Sequence, residues 1–170
     1  MSLSPHHPEP RFHPEVFAAI EALALPEPDE AVVTHGAALA AYGLRETYSD
    51  IDLIASLENV QYLRERLGFL VVRNVIGIRP DGQSQVILST RGRHDGRELD
   101  VWRWDFSRDA YGRTGKGRIM PRDIPTTVHQ PSGIRVASLE HLLAVKTPPR
   151  PGTRDAADIA AIRAALAKTA

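Results

Sequence analysis

The chain has 170 residues, 42% of them hydrophobic and 25% charged, and this balance predicts a globular protein with a sizeable core. Basic and acidic residues are equal in number, 21 of each, so no overall basic field predicts nucleic-acid binding. The absence of cysteine excludes disulfides and thiolate metal sites, and the lack of a ~20-residue apolar run or a signal-peptide core predicts a cytoplasmic protein with no membrane partner.

Apolar periodicity and turn residues divide the chain into alternating helices and strands. Residues 1–13 are rich in proline and histidine, so we expect a flexible tail before a domain that spans residues 14–170. In the first half of the chain, the pattern predicts a helix, a strand, a short helix, a strand and a helix, over residues 14–25, 31–34, 37–44, 50–56 and 57–69.

The second half of the chain begins with three predicted strands, over residues 69–75, 84–90 and 97–104, and Pro80-Asp81-Gly82 predicts a turn between the first two. A long irregular stretch, residues 105–133, follows them. Two helices close the chain at residues 138–147 and 153–168, and Ser138 is placed to cap the first of these helices. No repeat or linker interrupts this order, so the sequence predicts a single α/β (α+β) domain with a mixed β-sheet flanked by helices.

Two aspartates, Asp50 and Asp52, open the apolar strand "DIDLIAS". Side chains alternate along a strand, so these two carboxylates point to the same face while Ile51 and Leu53 point into the core. A carboxylate inside a folded domain is costly unless something pairs with it. An Asp-x-Asp pair on a strand is a natural two-pronged ligand for a hard divalent cation, which prefers oxygen donors.

A third aspartate, Asp100, lies between Leu99 and Val101 in the strand predicted from "RELDVWRW". Three strand-borne carboxylates in apolar surroundings repel one another strongly without a cation. A cluster of this kind is what a paired-metal site needs. The alternative is that Asp100 faces solvent and pairs with a nearby arginine such as Arg97.

The stretch "VVTHGAALAAYG" is typical of a strand, a tight glycine turn and the start of a helix. Free backbone N–H groups and the positive end of the dipole at a helix start suit a phosphate group. The alternative is a plain strand-to-helix turn.

Gly36, the following "LRETYSDIDL" and a third aspartate on a later strand resemble the nucleotidyltransferase superfamily typified by polymerase beta. The sequence is most similar to the small bacterial branch of AbiEii-type toxins and related proteins, in which a GG[ST]AL turn precedes R.T.DIDL. The segment "VASLEHLLAVKTPPRPGTRDAADIAAI" is similar to that branch's helix ending in lysine, short loop and Arg/Lys-Asp-x-x-Asp helix. The resemblance covers residues 31–162. His35 stands where the branch has its first turn glycine, and Ala37 where it has Ser or Thr.

The resemblance implies a metal-dependent nucleotidyltransferase-like domain that moves a nucleoside monophosphate from an NTP to a hydroxyl acceptor. In it, Asp50 and Asp52 bind two Mg²⁺ (or Mn²⁺) ions. Asp100 bridges to the catalytic ion and helps to deprotonate the attacking hydroxyl. The acceptor is a tRNA, a protein side chain or a small molecule, and a toxin of this branch has a cognate antitoxin as its partner.

The resemblance also implies an NTP-binding site. The turn of His35, Gly36 and Ala37 contacts the β- and γ-phosphates, and Lys146 reaches the triphosphate as a point charge, with Arg45 as a second candidate. Asp155 and Asp158 orient basic residues by ion pairing, the candidates being Lys146, Arg150 and Arg154. The alternative for Lys146 is a lysine at a helix end with its amine in solvent.

The departures at His35 and Ala37 remove one hydroxyl donor and add an imidazole. They favour an alternative of a different class, a catalytically inactive nucleotidyltransferase-fold protein that acts as a binding or regulatory module. The three aspartates favour the enzyme.

Basic residues crowd the segment from Arg103 to Arg122. A basic loop close to the aspartates would bind RNA phosphate or a nucleotide, and the alternative is a solvated loop. Trp102 and Trp104 alternate on the face of Asp100, where they would stack a base or line a groove beneath the loop.

Overall fold

The computed structural model describes residues 8–78, 84–94, 96–105 and 121–168. Several sequence-based expectations lie outside these residues: residues 1–7 of the expected tail, the turn expected at residues 80–82, and most of the basic segment that ends at Arg122. The side chains of Trp102 and Trp104 also lie outside the described part of the chain.

The described residues form helices and strands in nearly the predicted order. The helices are α1 (Pro14–Glu21), α2 (His35–Ala41), α3 (Leu57–Arg66), α4 (Leu139–Lys146) and α5 (Asp155–Ala167). The strands are β1 (Ala31–Thr34), β2 (Ile51–Ala55), β3 (Leu70–Ile78), β4 (Ser84–His94), β5 (Arg97–Asp105), β6 (Thr126–Val128) and β7 (Arg135–Ala137). Among these residues, no helix combines the length and the apolar character that crossing a lipid bilayer requires.

The strands form one mixed sheet in the order β3-β4-β5-β2-β1-β7-β6. β2 runs parallel to β5 and β1 runs parallel to β7, whereas the other neighbours are antiparallel. This topology confirms the predicted α+β class with a mixed sheet. It places β5, β2 and β1 side by side at the centre, and these strands carry Asp100, Asp52 and Thr34 at matched positions.

The element boundaries differ from the prediction in ways that local geometry explains. The helix predicted to reach residue 25 ends at Glu21, and Ala24 adopts a left-handed φ of 48° before Pro26. The stretch predicted to be irregular from residue 105 to 133 contains β6, and β7 follows it unpredicted. Each of these strands has only three residues, too few for an alternating pattern to be recognised.

Two serines start helices by the capping mechanism that the sequence predicts for Ser138. The Oγ of Ser138 accepts a hydrogen bond from the backbone N–H of His141 at 3.2 Å, and the Oγ of Ser56 does the same for Asn59 at 3.2 Å. A cap of this kind stabilises a helix by about 1 kcal/mol. The predicted cap at Ser138 is therefore confirmed.

The core lies against the central strands. Ile51 and Leu53 are fully buried, as predicted, and so is Val33 beside Leu53 in β1. α2 contacts both β1 and β2, and its alanines are fully buried, which lets its backbone approach the sheet closely. A fully buried Val, Leu or Ile side chain contributes about 1.5–3 kcal/mol, so these residues supply much of the stability that holds the strand ends in place.

Of the segment predicted as a flexible tail, residues 8–13 lie within the described part. The backbone N–H groups of Arg11 and Phe12 both donate to the carbonyl oxygen of Ala41 at 2.9 Å, and Pro10 is buried. This part of the chain therefore lies against the C-terminal end of α2.

We predict that Gly92→Ala destabilises the protein by about 1–3 kcal/mol, because the ring of Phe69 occupies the position where a Cβ on residue 92 would lie. Urea unfolding measures the effect. In a Phe69→Ala background the same substitution should be neutral or slightly stabilising, since Gly is unfavourable inside a strand. An equal loss in both backgrounds would show that the ring does not set the requirement for glycine.

Candidate metal centre

Three aspartates converge at the centre of the sheet. Asp50 immediately precedes β2, Asp52 lies in β2, and the parallel register of β2 and β5 places Asp52 opposite Asp100. One carboxylate oxygen from each residue lies within 4.8 Å of the others. Oxygens on opposite sides of one divalent ion are about 4–5 Å apart, so the three side chains are close enough to bind a metal ion. The predicted convergence is confirmed.

Burial and charge differ among the three carboxylates. Asp50 and Asp52 are half-buried, whereas Asp100 is only 3% exposed. The Nη2 of Arg91 lies 2.9 Å from the Oδ2 of Asp100. The carboxylate of Asp100 holds the pKa of Arg91 above its usual range, and the charges of Glu98 and Asp50 act in the same direction.

The arginine that pairs with Asp100 is not the one that the sequence suggested. The alternative interpretation placed Asp100 in solvent, paired with a nearby arginine such as Arg97; Asp100 does pair with an arginine, but it is buried and that arginine is Arg91. The antiparallel register of β4 and β5 puts Arg91 directly opposite Asp100. Arg97 lies three positions away from Asp100 along β5, and an odd separation places its side chain on the other face of the sheet.

Thr34 extends this row of side chains onto β1. It lies opposite Asp52 in the β1–β2 register and is fully buried. Its Oγ1 has no hydrogen-bond partner within the described residues. A buried hydroxyl without a partner costs about 1–3 kcal/mol of stability. A threonine beside the carboxylates is therefore not explained by core packing, which an apolar residue would serve better. Sequence reasoning did not select Thr34 or Arg91, because only the strand registers bring them to the cluster.

The turn after Thr34 differs in backbone geometry from the tight glycine turn that the sequence predicted. His35 adopts a left-handed φ of 50°, which costs a non-glycine residue about 1–2 kcal/mol. α2 begins at His35 and has only seven residues. The side chain of Ala37 is fully buried and belongs to the hydrophobic core.

A network of buried charges lies beside this turn. The Nζ of Lys146 is 2.9 Å from the Oδ1 of Asp155 and 2.9 Å from the Oδ2 of Asp158. Arg45 donates from Nε and Nη2 to the two oxygens of Asp158, at 3.0 and 2.8 Å. Lys146 is only 6% exposed, so the alternative of a solvent-directed helix-end lysine is wrong.

Arg150 completes the network at its outer edge. Its Nε donates to the Oδ2 of Asp155 at 2.8 Å, although 73% of its side chain is exposed. The predicted pairing of the two α5 aspartates thus involves Lys146, Arg150 and, unpredicted, Arg45. Within the described residues, no ion pair joins Arg154 to either aspartate.

The pKa values of the network follow from these contacts. The hydrogen bond from Arg150 holds the pKa of Asp155 well below its usual range, with Lys146 adding to the effect. Burial raises the pKa of Asp158, but the hydrogen bonds from Lys146 and Arg45 outweigh it and leave the pKa lowered. Burial lowers the pKa of His35 to about 4, and the positive charges of Lys146 and Arg150 contribute. His35 is therefore neutral at neutral pH.

Comparisons with known proteins add a structural similarity. No family model matches the chain, and no curated protein matches it. Among solved structures, the chain is similar to JHP933 from Helicobacter pylori, with a TM-score of 0.42 and 18% sequence identity. The similarity covers 86% of this chain and 62% of JHP933. The candidate metal centre therefore rests on the geometry of this chain alone.

We predict that stability falls as the pH is lowered from 6.5 towards 4, because the unfolded chain takes up a proton on His35 that the folded protein excludes. In the window between the two pKa values, His35→Asn should lose less stability than the wild type, by up to about 3 kcal/mol at pH 4. Asparagine does not titrate and tolerates the left-handed conformation. Urea unfolding across this range measures the difference.

The charges of Asp155 and Asp158 do not interfere with this measurement. Both pKa values are held below the usual 3.8, so their contribution is present above that pH and is lost only as the pH falls further. Parallel stability profiles for wild type and His35→Asn between pH 6.5 and 4 would contradict the prediction.

Proposed function

We propose that this protein is a metal-dependent nucleotidyltransferase that moves a nucleoside monophosphate from an NTP to a hydroxyl acceptor. The convergence of Asp50, Asp52 and Asp100 carries the proposal, because it gathers three oxygen donors at the centre of one sheet. The resemblance of the turn and the "SDIDL" segment to the nucleotidyltransferase superfamily supports the same function.

The donor set fits Mg²⁺ or Mn²⁺. Both are hard cations that prefer carboxylate oxygens. The three carboxylates each offer an oxygen within 4.8 Å of the others, which is the spacing that one divalent ion would need. Bound there, such ions neutralise phosphate charge and make a hydroxyl more acidic.

The resemblance to the superfamily implies the roles of the three aspartates, and their burial is compatible with those roles. Asp50 and Asp52, which are half-buried, would bind the ions and remain accessible to a substrate. Asp100, whose carboxylate is already shared with Arg91, would complete the coordination and accept the proton of the attacking hydroxyl. Catalysis would consist of positioning and charge neutralisation.

The NTP phosphates would lie beside the turn of His35 and Gly36. The ammonium group of Lys146 has three N–H donors. Asp155 and Asp158 each accept one of them, so the third could be donated to a phosphate oxygen. The proposal places the protein in the cytoplasm, with a tRNA, protein side chain or small molecule as acceptor. A role as a toxin would add a cognate antitoxin as partner.

A specific observation favours the second candidate, a catalytically inactive binding or regulatory module. Asp100 already has a cation in Arg91, and the turn carries the strained His35 and the buried Ala37. In that case the protein would bind a nucleotide without transferring it.

We predict that millimolar Mg²⁺ or Mn²⁺ raises the melting temperature, because ions that bind only the folded state stabilise it by about 2.7 kcal/mol at 100 times Kd. For a chain of this size that corresponds to roughly 5–10 °C. Asp52→Asn should abolish the shift, whereas Asp29→Asn, an exposed aspartate outside the cluster, should keep it. A wild-type melting temperature that does not respond to either metal, with or without NTP, would count against the site.

We predict metal-dependent transfer of label from NTPs to total tRNA or to one of a panel of hydroxyl acceptors. Asp52→Asn and Asp100→Asn should each lower the transfer rate at least about 10²-fold, since each removes a charge that stabilises the transition state. NTP binding by wild type without transfer to any acceptor would support the binding module. No NTP binding at any concentration would overturn both candidates.

A further inference from the structure

We propose that Arg45 is a positioning residue for the metal centre, held by a two-pronged pair with Asp158 in the space that Gly36 leaves, an arrangement that we call the Gly36–Arg45 interlock. The inference rests on the proposed function, because it concerns how the loop that carries Asp50 is fixed. It assigns to Gly36 a role that does not involve phosphate.

Gly36 is needed for space rather than for its backbone conformation. Its φ lies outside the left-handed region, so the backbone accepts other residues. A Cβ at this position would lie 2.7 Å from the Nη1 of Arg45, which is closer than real Cβ contacts allow. The guanidinium of Arg45 therefore occupies the space that the missing side chain leaves.

Arg45 has little freedom to move away from this contact. Its Nε and Nη2 form a two-pronged pair with Asp158, which is only 4% exposed. Such a fork fixes the plane of the guanidinium as well as its distance. Asp158 is also bound by Lys146, so the fork ties Arg45 to both α4 and α5. An added Cβ at residue 36 would push Arg45 out of the fork.

The segment between α2 and β2 depends on such anchors. It contains both Arg45 and Asp50 and has no helix or strand of its own. Tyr48, in the same segment, lies 3.8 Å from the position of the absent Cβ, and its hydroxyl donates to Glu15 at 3.3 Å. Both side chains thus anchor the segment close to Gly36.

Asp50 is the ligand that this segment controls. Asp52 and Asp100 lie within β2 and β5, where the sheet fixes them. Asp50 comes before the first residue of β2, so the position of its carboxylate follows the segment that Arg45 anchors. Loss of the fork should therefore displace Asp50 and weaken metal binding while the other two aspartates keep their places.

A double-mutant cycle on the full chain tests the interlock, with Mn²⁺ affinity measured by titration at a temperature where circular dichroism shows every variant folded. Gly36→Ala and Arg45→Met should each weaken Mn²⁺ binding by about 10- to 100-fold, as expected for residues that orient metal ligands. The double variant should bind no more weakly than Arg45→Met, because the added Cβ has nothing to displace. Arg45→Lys should restore little, since lysine lacks the fork.

The cycle separates failure of the interlock from failure of the metal centre. Wild-type affinity in Gly36→Ala and Arg45→Met, or an equal loss from Gly36→Ala with and without Arg45, would overturn the interlock and leave the metal centre standing. If Arg45→Met does not fold, Arg45→Lys replaces it in the cycle. An equal loss of Mn²⁺ affinity from Gly36→Ala with arginine and with lysine at position 45 would then overturn the interlock. Absence of Mn²⁺ binding in the wild type would overturn the proposed function and the positioning role together.

Discussion

The cost of placing ionised carboxylates inside a folded domain is the constraint on which the rest of this structure depends. Each buried carboxylate needs a cation or a set of hydrogen-bond donors. The two α5 aspartates, Asp155 and Asp158, obtain theirs from Lys146, Arg45 and Arg150. In the strand cluster, Arg91 pairs with Asp100, and one carboxylate oxygen from each of Asp50, Asp52 and Asp100 lies within 4.8 Å of the others.

The internal pairs have more value for geometry than for stability. Replacing a buried ion pair by apolar side chains of similar volume is often neutral or stabilising, because desolvation offsets the attraction. The pairs around Lys146 instead fix directions: they hold two helices to each other and to the segment that leads into β2. A change in this network would therefore alter the position of Asp50 in the candidate metal centre more than it would alter the stability of the fold.

The candidate metal centre combines two aspartates within the sheet and one that precedes it. Asp52 and Asp100 face each other across a central pair of parallel strands, whereas Asp50 lies outside the sheet. Asp100 is shared between Arg91 and the proposed ion, so Arg91 would hold this carboxylate in place before metal arrives. This division would let two ligands define the site while the third adapts to the ion and the substrate.

The sequence by itself determined the features that depend on neighbouring residues. Alternation along "DIDL" placed Asp50 and Asp52 on one face and Ile51 and Leu53 in the core, and Ser138 marked the start of α4. Asp100 stood out by its position between Leu99 and Val101 in a predicted strand, but no local pattern pairs that strand with "DIDL".

Only the tertiary structure decided which charges meet. The β4–β5 register placed Arg91 opposite Asp100, and the packing of α4 against α5 brought Lys146 to Asp155 and Asp158, with Arg45 paired to Asp158. The strands β6 and β7 were also visible only in the tertiary structure, because three residues are too few to show an alternating pattern. Their antiparallel pairing with each other is what identifies them as strands. Contacts between residues distant in sequence depend on the order and register of the strands, and a local sequence pattern does not contain that information.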